Sequence, residues 1–280
     1  MQWEGREESK NVEDRRGVSP GMVIGGGGGM ILVLLALVLG VDPRQFLGNR
    51  GGEPGVEQPA DPGEDKVAHF AKVVFHDTEV VWDEQFRKMG KQYEKPTLVL
   101  FSGQTNTGCG SADAGIGPFY CPRDTRVYID LSFYRLLEKK LRSPGEFARA
   151  YVIAHEVGHH VQRLLGYSER VDRARRTKSK EEYNTESVRL ELQADYFAGV
   201  WAHHAQEKFR FLEKSDLESA TNAAYHIGDD YLQKQAGGRV QPDSFTHGTS
   251  EQRQRWFLEG FRTGDVNKAR LLFDLKYGDL

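Results

Sequence analysis

The chain has 280 residues, enough for one sizeable core or two small ones. A net charge of −3 gives no electrostatic footprint for nucleic acid, so no nucleic-acid partner is expected. A hydrophobic share of 38%, below the globular norm, means that part of the chain lies outside any core.

The first 65 residues account for that deficit. Residues 1–17 are polar, carry charge of both signs, and read as a tail. From Ser19 to Val41 no residue is charged, and the run ends GGGGGMILVLLALVLGV. About 20 such residues, at ~1.5 Å each, cross a bilayer, so residues 18–41 are expected to form a single N-terminal transmembrane helix. A cleaved signal peptide is the rival reading, but no A-x-A-like site follows Val41. Residues 42–65 are rich in Pro, Gly and acid, have no hydrophobic period, and read as a linker. Arg6, Lys10, Arg15 and Arg16 precede the span, whereas only Arg44 and Arg50 follow it closely. That bias puts the N-terminus in the cytoplasm and residues 66–280, a folded domain, outside it.

Within the domain, Asp77 or Thr78 is placed to cap a helix running to about Lys91. TLVLF (Thr97 to Phe101) is a short buried strand, and the stretch from Gly103 to Gly117 a loop. RVYIDLSF (Arg126 to Phe133) alternates and is rich in β-formers; we expect this second strand to be the one that pairs with an extended substrate. Cys109 and Cys121 have no His or Cys at zinc-ribbon spacing beside them. In an oxidising compartment they can close one loop, which we favour over two free thiols.

Ser143, Pro144 and Glu146 form a capping box with proline at the first helical position, and Gly166 supplies the stop. The helix between carries Phe147, Tyr151, Ala154, Val161 and Leu165 along one side. ERVDRARRTKSKEEYN reads as a solvated connector. A second long helix begins near Asn184 or Thr185, a third runs from Ser215 to Gly237, and shorter ones follow from Thr249 and Asp265. The expected fold class is α+β, mostly helical with a small sheet.

The chemistry lies in AHEVGHH. His155 and His159 are i and i+4, one turn apart on one helix face, where two imidazoles can reach a single Zn²⁺ at ~2.0–2.1 Å. Glu156 is turned by about 100° from that pair. It can flank the metal and take a proton from a water that zinc has acidified. His160 points off the pair on the other side and receives no ligand role; it meets solvent or a neighbouring partner. Gly158 permits close approach by another element. Catalytic zinc takes three protein ligands. Glu191 and Asp195, again i and i+4, lie in the apolar LELQADYFAGVWA, where a buried acid needs a partner. Either carboxylate can complete the site while the other holds a ligand histidine by its second nitrogen. His203 and His204 are expected at the surface.

HEVGHHVQ, ELQADYFAGVWA, GCGSADAGIGPFYCPRD, VYIDLSF, IGDDYLQ and the Gly-rich stretch after NVEDRR together resemble the bacterial neutral zinc metallopeptidase family. The resemblance spans nearly the whole chain and implies a zincin-like fold with a gluzincin-like site. In that pattern His155, His159 and Glu191 are the metal ligands, Glu156 is the base, and Asp195 supports His155. FTHGTSEQR resembles the TH…R element of HtpX and CAAX-protease-type membrane peptidases, with Gly248 where those have proline. That likeness brings His247 into the cleft, as an oxyanion donor or as a plug on the metal.

The expected function is therefore a membrane-anchored zinc peptidase, with one Zn²⁺ per chain and a peptide or protein substrate. Two rivals remain: a zinc-binding scaffold without turnover, and a zinc hydrolase of non-peptide amides such as cell-wall material. A scaffold has no use for a base beside the metal.

Overall fold

A helix of 27 residues, α1 (Pro62–Lys88), runs through the molecule rather than over it, with Phe70, Val73, Val74, Phe75, Val81 and Trp82 buried. The computed structural model describes residues 1–16, 62–113, 116–134 and 145–280. The expected span 18–41 and the expected Ser143 cap lie outside them. Among the described residues no helix is long and apolar enough to cross a membrane.

Helix α1 starts well before the expected cap. Glu64 and Asp65 in its first turn and Arg87 and Lys88 in its last suit the helix dipole. Asp77 and Thr78 are not caps but buried mid-helix residues. Thr78 Oγ1 donates back to Phe75 O at 2.7 Å, and Asp77 accepts from Arg6 Nη2 at 2.6 Å. Burial pushes the Asp77 carboxyl up to about 7 even with that guanidinium beside it. The residue after Thr78, buried Glu79, accepts from Ser9 Oγ (3.1 Å) and Asn11 Nδ2 (2.6 Å).

Residues 1–16 are therefore not the tail expected from their polarity. Their polar side chains donate to two buried carboxylates of α1. Trp3 is buried edge-on against Phe70, and Val12–Asp14 forms β1, paired in parallel with β2 (Thr97–Phe101) in the register Val12–Leu98. Arg16 Nη1 meets Asp65 Oδ1 at 3.0 Å.

The main sheet has the order β1-β2-β6-β5. Strands β2 and β6 (Arg126–Asp130) pair in parallel and are buried almost throughout, which is why TLVLF reads as a near-continuous apolar run. Strand β6 thus lies between β2 and β5 (Phe119–Cys121), and the expectation that it offers an edge to substrate is corrected. The end strands are β1 and β5. The expected 103–117 loop holds a hairpin of β3 (Gln104–Thr107) and β4 (Gly110–Asp113). Cys109 at its turn is disulfide-bonded to Cys121 at the end of β5, as expected, with Cα atoms 5.9 Å apart.

Helix α2 (Glu146–Leu165) begins after Gly145 and ends at Gly166, whose left-handed φ of 83° lets its N–H reach Arg163 O and the Tyr167 N–H reach Gln162 O. The charged connector is itself helical, α3 (Ser168–Thr177), because Val171 and Ala174 bury one stripe while Arg170 grips Glu186. Helix α4 (Lys180–Phe209) starts earlier than expected, at a reciprocal Ser179/Glu182 capping box. The third expected helix is two, α5 (Asp216–His226) and α6 (Asp229–Gln235). Helix α7 (Ser250–Thr263) opens at the expected Thr249, boxed with Gln252. It crosses α4 backbone to backbone: a Cβ on Gly260 would sit 2.0 Å from Tyr196 O. A short turn from Asp265 leads to α8 (Leu271–Asp274).

Candidate metal centre

Helices α2 and α4 face each other where the motif falls. Gly158 sets the spacing: a Cβ there would lie 2.9 Å from Ala194 O. Across this contact His155 Nε2 stands 3.3 Å from Glu191 Oε2, and His159 Nε2 3.5 Å from Glu191 Oε1. The structure brings together the three residues expected to hold metal.

Each histidine is held by its other nitrogen. His155 Nδ1 donates to Asp195 Oδ1 and His159 Nδ1 to Gln162 Oε1, both at 2.8 Å, while Gln162 Nε2 donates to Leu190 O. With those nitrogens committed, the two Nε2 atoms and the carboxylate are turned on one another, an arrangement that calls for a cation among them. The electrostatics agree. Burial opposes charge on His155, but Asp195 and Glu191 outweigh it and its pKa is pushed up to about 10. Burial likewise opposes charge on His159, and Glu191 raises it. Burial works to raise Glu191, yet the histidines hold it well below the usual carboxylate range. Two imidazoles and one carboxylate, with a fourth position open, suit catalytic zinc.

Asp195 is fully buried, as a partner of His155, and does not face Glu191 as a ligand. Its support comes from α7. Arg253 Nε donates to Oδ2 at 2.8 Å and Nη2 to Oδ1 at 3.0 Å, and the Tyr151 hydroxyl adds a third donor. Burial alone would raise the Asp195 carboxyl; Arg253 and His155 bring it below its ordinary value. Reading the sequence gave Arg253, Gln162 and Tyr151 no role of their own. The signals that existed were the final R of FTHGTSEQR and a Gln three residues after His159.

Glu156 is buried beside the pair, its carboxyl raised by burial against the opposing pull of His155 and His159, and hydrogen-bonded by the Tyr120 backbone N–H of β5. His160, expected at solvent or beside a partner, is buried. It bridges Tyr120 Oη (3.0 Å) and Glu94 O (2.6 Å), tying β5 to α2. Burial lowers its pKa to about 4, so it is neutral, donating from Nε2 and accepting at Nδ1.

His247 lies at the rim, outside the three-residue cluster but near enough for its charge to act on Glu191. Asp229, the first residue of α6, holds it. Oδ1 accepts from His247 Nδ1 (3.0 Å), and Oδ2 from the backbone N–H groups of Thr246 (2.8 Å), His247 (2.7 Å) and Gly248 (3.1 Å). Gly248 has φ 92°, which proline's fixed φ near −65° excludes. Here the chain departs in backbone, and not only in side chain, from the proline-bearing elements it resembles.

A helix bearing H-E-x-x-H, faced by a glutamate from a second helix, is an arrangement of zinc-dependent hydrolases. The chain belongs to the family described as putative neutral zinc metallopeptidases, which it matches over residues 1–271. It is 51% identical over 277 residues to the uncharacterized protein YpfJ of Escherichia coli K12, covering 95% of this chain and 96% of that one. It is 44% identical over 185 residues to the uncharacterized proteins Mb2605 of Mycobacterium bovis and Rv2575 of Mycobacterium tuberculosis, covering 62% of this chain and 61% of theirs. No solved structure matches the chain.

Proposed function

We propose that the chain is a zinc-dependent peptidase whose single tightly held zinc is bound by His155, His159 and Glu191, with Glu156 as general base. The observation that carries the reading is the convergence of those three donor atoms within 4.8 Å of one another, with the buried Glu156 carboxyl alongside. Zinc there supplies Lewis acidity, toward a water and toward the carbonyl under attack. Glu156 takes the proton of that water and returns it to the leaving amine. An extended peptide finds its place along β5, an end strand, whose Tyr120 amide turns to Glu156 rather than to a neighbouring strand. A carboxylate in this position has no purpose in a scaffold without turnover. Metal analysis tests the ligand set: His159→Ala and Glu191→Ala should each lose the tightly held zinc, and full zinc content in both would end this reading.

His247 is assigned to the oxygen that gains charge during attack. Burial works to lower its pKa, but Asp229 and Glu191 outweigh burial and raise it; with Nδ1–H on Asp229, the protonated ring has Nε2–H left to donate. Losing one oxyanion donor costs about 2.7–4 kcal/mol, a factor of ~10²–10³ in rate. His247→Ala should slow kcat by that order with KM little changed. Faster turnover would make His247 a plug on the metal, and unaltered kinetics would remove it from the site.

The apolar stretch from Ser19 to Val41 has the length and composition to enter a bilayer. Because residues 1–16 pack on α1 and β2, this membrane attachment keeps both its flanks on one face, and the centre with them.

A further inference from the structure

A second convergence of ligand atoms lies at the far end of α4, twelve residues beyond Glu191, or about 18 Å at ~1.5 Å per residue. His203, His204 and Glu207 each offer one atom there, all within 4.8 Å of one another. The two histidines are not the free surface residues expected from the sequence. His203 Nδ1 donates to Phe261 O at 2.7 Å and His204 Nε2 to Gly264 O at 2.8 Å. Those carbonyls belong to the C-terminal turn of α7, whose last C=O groups have no helical partner. Capping that helix end explains one nitrogen of each ring.

It does not explain the other two. With those protons committed, His203 Nε2 and His204 Nδ1 are lone pairs. Both are turned on one carboxylate: His203 Nε2 lies 3.5 Å from Glu207 Oε1 and His204 Nδ1 3.0 Å from Oε2. The rings are T-shaped with centroids 4.9 Å apart. Three acceptors facing one another require a cation, either extra protons on both rings or a metal. Protons would place two imidazoliums side by side against a single carboxylate. A metal would be met by two imidazoles already oriented by backbone carbonyls, the outer-sphere support that ligating histidines have.

We propose that His203, His204 and Glu207 form a second metal site, for a borderline divalent cation of the zinc type, which imidazole and carboxylate together suit. Glu207 is largely solvent-exposed, so the site fills from solution and keeps an outer position open. Among the described residues the cluster consists of these three side chains, and we assign it a structural or regulatory part. All three ligands stand on α4, so metal there fixes the two rings that cap the end of α7, the helix that brings Arg253 to Asp195.

Full-length protein, stripped of loosely held metal and then dialysed against graded free zinc, tests this by metal analysis and thermal unfolding. The wild type should take up one zinc equivalent beyond the tightly held one, with a Tm that rises as the second equivalent binds. Glu207→Gln should keep the zinc-free Tm, showing an intact fold, and take up one equivalent fewer. His204→Gln, which retains a side-chain donor for Gly264 O, should behave the same way. The count is read as a difference between chains, so it stands whether or not the first centre binds as assigned. Equal zinc uptake by wild type and both variants, or a Tm indifferent to added zinc, would overturn the proposal.

Discussion

Glu156→Gln should retain zinc and lose turnover by ~10²–10⁴-fold, the usual contribution of a general base. The amide keeps the shape of the carboxyl, and its oxygen still accepts from the Tyr120 N–H, so little is asked of the fold. It cannot take a proton from water. Burying a neutral amide also avoids the desolvation that raises the Glu156 carboxyl, so stability should hold or rise slightly. An unbiased peptide-library cleavage profile of the two full-length proteins, with zinc content measured in parallel, is the assay. Equal cleavage at equal zinc would take Glu156 out of the mechanism, and products absent from both would turn attention to non-peptide amides.

Arg253→Met should be the most damaging change to the framework. Asp195 is fully buried and ionised, and Arg253 makes two hydrogen bonds to it from the same buried position. Removing one partner of a buried pair leaves an uncompensated charge and costs about 3–5 kcal/mol. His155 would then lose its fixed orientation, and zinc affinity should fall by ~10–100-fold, as for other supporting residues of metal histidines. Arg253→Lys should recover part of the stability, since it keeps charge but not the two-point grip. Chemical denaturation of the zinc-free proteins separates the two effects. A loss below about 1 kcal/mol would show that Asp195 is held by Tyr151 and His155 alone.

What could be read in advance was local. His155, Glu156, His159, the Gly166 stop and the Thr249 cap all rest on spacings within one or two turns, and all appear where expected. The i,i+4 pair of Glu191 and Asp195 was legible as a pair, and the division of labour between them followed the family resemblance. The misreadings concern residues whose partners are remote. Asp77 resembled a cap because its real partner, Arg6, lies 71 residues away. Arg253 reaches Asp195 over 58 residues, and only its place as the final R of FTHGTSEQR marks it. Strand Arg126–Asp130 looked like any short β segment, and only the order of the sheet shows that β5 has an outer place. The charged connector became helix because its apolar stripe is only Val171 and Ala174, too thin to outweigh so many charges on inspection.

The contact between Arg16 and Asp65 has a practical corollary for anyone wanting this domain free of its apolar stretch. Cutting the chain just after that stretch discards an edge strand, uncovers the backbone of β2 as a template for aggregation, and strips Asp77 and Glu79 of their donors. Excision is the sounder route. The chain departs and returns at one place, so a few Gly and Ser residues can join residue 16 to residue 62, and closing a shorter loop costs less entropy than closing the natural one.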